Sequence, residues 1–520
     1  MSERVTYVSI GASPEFDRDF EAALAAARGE LPIAVDAAIG DGRPSGGARF
    51  DLVAPADRRR VVARVERSSP DDVATAVATA AGAYDAWRRR AWTERLALAR
   101  AAADGIAAER FRLAALVALE VGKSRLEAMA EVEEAADLLR YYAERYEAHD
   151  GLRRAMARAL ADEATESVLQ PYGVWAVVSP YNFPMALAAG MIGAALLTGN
   201  TVVYKPSEEA ALSGALLARA LWAAGVPHEV VQLVHGGGEI GAALVGHPRV
   251  AGVAFTGSHE VGMSIARAMP RDCPRPAVIE MGGKNPAIVT ASADLDAAAL
   301  AVARSAFGYG GQKCSACSRA YVERPVFERF VTALVTAARA MKVGDPTARD
   351  NAFGPLIDER AGARFEAAVE AIRAAGGEIL AGGRRLGEGE LAHGVYVEPT
   401  VATLPDPDHE LWDRELFAPL VLVRAVDGLD EALALANRTR FGLTAGLFSG
   451  DRAEIDRFLD GIEAGVVYVN RRAGATTGAW PGINPFGGWK GSGGTGVAAL
   501  GPDYLLKFVR EQSRSVTAPW

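Results

Sequence analysis

The sequence predicts an α/β protein built on open parallel sheets, and two observations carry that prediction. From residue 173, short β-branched runs at 174–178, 201–204, 230–234 and 250–255 alternate with helical segments near 184–198, 208–224 and 238–246. A second α/β stretch begins near 284 and runs to about 480. Strand–helix–strand repetition implies parallel strands joined by right-handed crossovers. Ligands of such sheets collect at the carboxyl ends of the strands. The places to look are therefore Ser179–Asn182, Lys205–Glu208, His235–Gly238 and Thr256–Ser258.

Taken in order, residues 1–49 read as an N-terminal arm, with a helical stretch Phe16–Ala27 and a Gly/Pro-rich run Gly40–Gly47. The next helix opens with Ser69-Pro70-Asp71-Asp72, a capping hydroxyl, a proline and two acids on the positive end of the dipole. Its apolar residues Val73, Val77, Ala80, Tyr84 and Trp87 mark one buried face. Residues 93–121 and 124–148 continue in helical periodicity, and the tail Tyr504–Val516 suits a terminal edge strand. Residues 167–204 carry no charge, long enough to span a bilayer. Pro171, Pro180, Asn182, Pro184, Gly199 and Asn200 cut this run into pieces of core length, so no membrane span is expected.

Composition narrows the class. The 520 residues suggest about three or four domains. With 56 Lys+Arg against 65 Asp+Glu, the net charge of −9 gives no bulk attraction for nucleic acid or an anionic membrane. Three cysteines, Cys273, Cys314 and Cys317, make no disulfide framework and point to a reducing compartment. No leader follows Met1-Ser2-Glu3-Arg4, and Glu15, Asp17 and Asp19 argue against a transit peptide, so a cytoplasmic protein is expected. Only seven basic residues are lysines, against 49 arginines, which draws attention to each lysine.

Several motifs invite chemistry. Gly236-x-Gly238-x-x-Gly241 follows a strand and opens a helix, yet Thr256 stands where a dinucleotide fingerprint wants a ribose-binding acid. It reads as a tight turn or a phosphate contact, while Gly491–Gly496 reads as a loop. Thr256-Gly257-Ser258 ends a strand, and Ser258 can cap a helix whose free N–H groups favour an anion. Lys205 suits an ammonium that binds a sugar or phosphate. Glu208 nearby would accept from free ribose hydroxyls and repel a 2′-phosphate. Cys314 in Gln312-Lys313-Cys314-Ser315-Ala316-Cys317 can be a nucleophile if a base or a lowered pKa supplies the thiolate. No second Cys pair or nearby His supports zinc, so no metal is expected. A dithiol redox site remains an alternative. Glu280, in Glu280-Met281-Gly282-Gly283-Lys284, is a carboxylate whose burial would bring its pKa into general-base range.

Six segments in order give a resemblance. Ser179-Pro180-Tyr181-Asn182-Phe183-Pro184, Gly199-Asn200-Thr201-Val202-Val203 with Lys205-Pro206, and Phe255-Thr256-Gly257-Ser258 come first. Glu280–Lys284, Gly311-Gln312-Lys313-Cys314 and Glu415-Leu416-Phe417 complete the set. Over roughly residues 50 to 515 the chain resembles the NAD(P)-dependent aldehyde dehydrogenase superfamily. The resemblance implies two open parallel-sheet α/β domains: a cofactor domain at 50–155 and 172–283, and a catalytic domain at 284–480. It also implies a small β oligomerisation element, a hairpin near 156–171 with residues 495–520, and hence a homo-oligomer. Cys314 would be the nucleophile and Glu280 the base that activates water. The Asn182 amide and the Cys314 N–H would form the oxyanion hole. Lys205, Glu208 and Ser258 would hold the adenosine and pyrophosphate of NAD, with Glu415 and Phe417 at the nicotinamide end and Ser179 and Gly257 also cofactor-binding. Glu208 favours NAD, and NADP is left open.

The segments Gln312–Ser318, Thr477-Gly478-Ala479 and Phe486-Gly487-Gly488 are similar to the Δ1-pyrroline-5-carboxylate dehydrogenase branch, which oxidises L-glutamate γ-semialdehyde to glutamate in proline degradation. There Ser315, Gly478 and Ala479 would hold the substrate α-carboxylate, and Phe486 would pack on its aliphatic part. Exposed N–H groups of a Gly-small loop can close on a carboxylate as a nest. Ala418, Tyr181 and Gly310-Gly311 depart from the common pattern and leave another aldehyde as the alternative substrate. A thiol oxidoreductase or a catalytically silent NAD-binding protein are the readings from other classes.

Overall fold

The computed structural model describes residues 13–269, 273–494 and 496–517. The Met1–Arg4 start, on which the expectation of no leader rests, lies outside them. Strands Val174–Val178, Thr201–Lys205, Val231–Leu233, Val250–Thr256 and Ala277–Glu280 form one all-parallel sheet. From one edge the order is 231–233, 201–205, 174–178, 250–256, 277–280. The order reverses between 174–178 and 250–256, so a crevice opens at their carboxyl ends. The apolar helix Ala186–Leu197 covers this sheet and packs on helix Arg125–Ala148. A Cβ at Gly193 would lie 2.7 Å from Leu139, so the two helices meet through glycine.

The second sheet has seven strands in the order 379–381, 400–403, 420–426, 317–323, 285–289, 444–448, 466–469. All neighbours are parallel except the short edge strand Ile379–Ala381, which is antiparallel to Thr400–Thr403. The strands between the edges are buried along most of their length, as a sheet covered on both faces requires.

Several local expectations are corrected. The helix expected over 93–121 is two, Trp92–Ala108 and Arg110–Val121, broken where Glu109 leaves helical geometry at φ −97°, ψ 12°. The arm is a packed part of the core: helix Pro14–Glu30 buries Phe20, Leu24 and Ala27, and Asp17 binds Arg125 at 2.9 Å. Strands Arg49–Ala54 and Asp57–Glu66, not anticipated, form a hairpin beside it. The polar run Asp57–Arg60 hides the alternation from which a strand would be read.

The hairpin near 156–171 starts earlier, because Gly151 at φ 67° reverses the chain and strand Arg153–Ala155 begins at once. Residues 156–162 are its connection, and Glu163–Pro171 is the middle strand, paired antiparallel on its other side with Val509–Thr517. Tyr504–Phe508 is a short 3₁₀ turn rather than strand, since Tyr504, Leu505 and Phe508 all enter the core at helix-like spacing. Among the described residues no helix is long and apolar enough to cross a membrane.

Candidate active site

Cys314 comes after a loop in which Tyr309, Gly310 and Gly311 all adopt positive φ, at 52°, 61° and 70°. This tight coil lets the chain turn into strand Cys317–Glu323 and leaves Cys314 between the two sheets. Gln312 pins the coil. Its amide donates to the Tyr309 and Pro355 carbonyls, each at 3.2 Å, and its oxygen accepts from Ile357 N at 2.9 Å and the Tyr181 hydroxyl at 3.2 Å. Asn285 fixes the chain on the far side of Cys314: its Nδ2 donates to the carbonyls of Cys314 at 2.7 Å and Ala316 at 2.9 Å. Neither amide was assigned a role from sequence, because their partners are backbone atoms that no pattern displays.

Two cavities meet at Cys314. A groove of about 1040 Å³ runs from Lys205 and Gly237 past Ser179, Gly257 and Ser258 to Glu415, Phe417 and Asn182. A second cavity of about 440 Å³ contains Ser315, Gly478, Ala479 and Phe486. Cys314 borders both. The structure thus brings together all the residues singled out from sequence except two. Glu208 stands at the groove rim behind Gly237, whose Cβ, if present, would lie 3.0 Å from Glu208 Oε2. Glu280 borders neither cavity. It accepts a hydrogen bond from Gly488 N at 3.1 Å and lies within electrostatic reach of Cys314.

Electrostatics follow from burial. The Glu280 carboxyl is pushed up to about 7 by burial, opposed by the Gly488 N–H. Glu415 is likewise raised to about 7 by burial, although Gly283 N donates to it at 2.9 Å. Burial, and then the charges of Glu415 and Glu280, push the Cys314 thiol up to about 12. Asn182 Nδ2 donates to the Gln312 carbonyl at 3.1 Å, which holds the amide beside the Cys314 loop and leaves its second N–H unused there. Cys317, by contrast, is buried at the start of its strand with Sγ on the Arg319 carbonyl, inside the sheet core rather than in a cavity.

The glycine motifs acquire definite work. Lys205 Nζ donates to the carbonyls of Pro206 at 3.0 Å and Gly236 at 2.6 Å, so the first glycine run is a turn that seats the lysine. The second run closes on Glu280: a Cβ at Gly493 would lie 2.9 Å from Glu280 Oε2. Ser258 caps helix His259–Ala268 by accepting from Val261 N, with the helix N-terminus facing the groove. In the second cavity, Gly478 has φ 93° and its carbonyl accepts from Arg471, while Thr476 Oγ1 donates to the Ser315 carbonyl at 2.6 Å. Lys313 binds Glu127 at 2.6 Å on the wall of that cavity, and Lys490 binds Glu463 at 2.6 Å. Lys284 is buried without a partner for Nζ, and burial drives its ammonium down to about 7. Among the described residues, no group of three or more His, Cys, Asp or Glu side chains is placed to hold a metal ion.

A cysteine-bearing loop between two Rossmann-like sheets, with a long groove on one side and a small pocket on the other, defines a class of oxidoreductase. The model of the aldehyde dehydrogenase family matches residues 43–513, and the chain belongs to that family. A Geobacillus sp. (strain WCH70) protein named 1-pyrroline-5-carboxylate dehydrogenase is 34% identical over 503 residues, 95% of each chain. A solved structure of 1-pyrroline-5-carboxylate dehydrogenase from Thermus with bound NAD superposes with a TM-score of 0.92 at 33% identity, covering 97% of each chain. Betaine aldehyde dehydrogenase from Staphylococcus aureus in complex with NAD+ gives a TM-score of 0.89 at 27% identity, covering 95% of this chain and 97% of that one.

Proposed function

We propose that this chain is an NAD-dependent dehydrogenase that oxidises L-glutamate γ-semialdehyde, the open form of Δ1-pyrroline-5-carboxylate, to glutamate in proline degradation. The observation that carries this is the position of Cys314 on the boundary between the long groove and the pocket containing Ser315, Gly478, Ala479 and Phe486. The names of its relatives support the substrate. The groove fits a dinucleotide: Gly237, Gly238 and Gly241 keep one wall low, and Ser258 presents a helix N-terminus suited to a pyrophosphate. Glu415 and Phe417 lie at the Cys314 end, where a nicotinamide would rest. When bound, NAD supplies a hydride acceptor.

The chain's own residues do the rest. The Cys314 sulfur adds to the aldehyde carbon while its proton passes to the Glu280 carboxylate and on to solvent, and the oxygen becomes an alkoxide that the Asn182 amide and the Cys314 N–H receive. One such donor is worth about 3–4 kcal/mol in the transition state. The resulting thiohemiacetal loses its carbon-bound hydrogen as hydride, leaving a thioester on Cys314. Glu280 then takes a proton from a water that attacks the thioester, which releases the carboxylic acid and returns the sulfur. Ser315 and the N–H groups of Gly478 and Ala479 hold the α-carboxylate, and Phe486 packs on the methylene chain. Residues 50–152 and 172–283 act as the cofactor domain and 284–480 as the catalytic domain, with strand 153–155 belonging to the small sheet.

The three-stranded sheet of 153–155, 163–171 and 509–517 leaves 509–517 on an open edge with Val516 exposed. That edge supports assembly into a homo-oligomer, and light scattering that returns a monomer at micromolar concentration would remove this part of the proposal. A free-thiol nucleophile supports a reducing, cytoplasmic setting. The substrate is tested by NADH formation across aldehydes with and without an α-amino acid head. Pyrroline-5-carboxylate should give the highest kcat/KM. Equal or better values for simple aliphatic aldehydes would mean a different substrate on the same chemistry.

A further inference from the structure

The loop that brings Gly478 to the second cavity is held from behind. Strand Val466–Val469 ends at Asn470, whose backbone turns through φ 52°. The Asn470 side chain brackets Ser449, accepting from its N–H at 3.0 Å and donating to its carbonyl at 2.8 Å. Farther along, Ala475 N donates to the Ala301 carbonyl at 3.1 Å and Thr476 N to Ser305 Oγ at 3.2 Å, both acceptors on helix Leu295–Phe307. Arg471 reaches across the loop and donates through Nη2 to the Gly478 carbonyl. Its guanidinium lies 4.6 Å over the ring of the buried Tyr468. A Cβ at Gly478 would lie 2.9 Å from Arg471 Nη2, so this close approach wants a glycine, as does the φ of 93°. Arg471 does not border the cavity, whereas Gly478 and Ala479 do. Among the described residues no acceptor takes the N–H of Gly478 or Ala479.

We infer that Arg471 is a positioning residue for substrate recognition, which fixes and polarises the Gly478–Ala479 peptide so that its N–H receives the substrate carboxylate. The inference rests on the reading of the second cavity as the α-carboxylate site. A trans peptide is planar, so its C=O and N–H point in opposite directions. Holding the Gly478 carbonyl from behind aims the Ala479 N–H the other way, toward the cavity that Arg471 does not reach. The hydrogen bond is charge-assisted, and drawing on the carbonyl strengthens the N–H of the same peptide as a donor. Glycine leaves this peptide free to rotate at little steric cost. Without the guanidinium, the carbonyl can swing round and present an acceptor to a carboxylate, which repels it.

The test is steady-state NADH formation by the full chain with pyrroline-5-carboxylate and with propanal, which has no carboxylate. Arg471→Ala should raise KM for pyrroline-5-carboxylate about tenfold or more, the scale of one charge-assisted hydrogen bond, with kcat and the propanal rate within about threefold of wild type. Arg471→Met, which keeps the packing on Tyr468 and loses the donor, should match Arg471→Ala. Arg471→Lys should recover part of the KM. Equal losses on both substrates, or an Arg471→Met enzyme that behaves as wild type, make the guanidinium a packing group and overturn the inference while leaving the carboxylate site in place. A wild-type enzyme with no preference for pyrroline-5-carboxylate over propanal overturns the substrate reading and this inference together.

Discussion

Glu280 ends its strand with the carboxylate clasped by Gly488 N, and burial brings it to about 7. A general base works in its ionised form, so the sign is fixed: hydrolysis of the thioester should be slow below pH 6, rise through a midpoint near 7 and level off above it. Single-turnover release of acid across pH checks this, and a flat profile would assign the water-activating step elsewhere. Glu280→Gln should give a burst of NADH without steady turnover, and Cys314→Ala should give neither. Gly493→Ala is a further test, because the added methyl would sit 2.8 Å from the Gly488 carbonyl and 2.9 Å from Glu280 Oε2, crowding the carboxylate together with the residue that clasps it. We expect its burst to persist while steady turnover falls at least tenfold. Residues of this kind divide what sequence can and cannot show. Cys314 and Glu280 stand out as candidates in the sequence because a thiol and a carboxylate in glycine-rich surroundings are visible there. Gly493 looks like any loop glycine, since its importance is a distance to a residue 213 positions earlier (493 − 280).

At the scale of elements, the turn that carries Asn182 is held by a buried ion pair in the helical layer. Glu131, on helix Arg125–Ala148, accepts from Lys123 Nζ at 2.6 Å and from Met185 N at 2.9 Å, and Lys123 lies 3.6 Å from the centre of the Phe183 ring. Both charged side chains are fully buried. Removing one partner strands a charge in the core, so Glu131→Ala should cost about 3–5 kcal/mol. The pair Lys123→Met with Glu131→Leu should recover much of that stability but not the rate, because Met185 N loses its acceptor and the Asn182 turn loosens. Urea titration and kcat measured on the same variants separate the two effects. Equal recovery of both would make the pair purely structural. Helical periodicity revealed the helix over 124–148, because one apolar face suffices for that. It could not reveal Glu131 as a clamp, because its acceptor role depends on a loop brought in from another part of the chain.

Across the whole molecule, residues 500–508 pack on the five-stranded sheet and on helix Arg125–Ala148 from far along the chain. Leu500 N donates to the Tyr142 hydroxyl at 3.0 Å, and Tyr504 stacks on Tyr142 at 5.3 Å. Phe508 rests 4.4 Å from Trp175, with its carbonyl accepting from Asn200 Nδ2 at 2.9 Å. These contacts reach helix Arg125–Ala148 and strand Val174–Val178 of the five-stranded sheet. The same returning segment, between residues 488 and 493, wraps Glu280. Alternating strand and helix runs made the two sheets readable in advance. The return path was not readable, because aromatic residues in a tail look the same whether they cover an edge or lock a core. Phe508 is fully buried. Truncating it to alanine should therefore cost about 3–5 kcal/mol, the usual loss for a buried phenylalanine. A chain of several domains need not unfold in one step, so the global midpoint alone is a poor readout. The informative comparison is kinetic. If the tail positions the clasp on Glu280, Phe508→Ala should slow thioester hydrolysis more than it slows the NADH burst at a temperature where the fold is retained. If both phases fall by the same factor, the tail contributes stability alone, and Gly488 and Gly493 hold the base without its help.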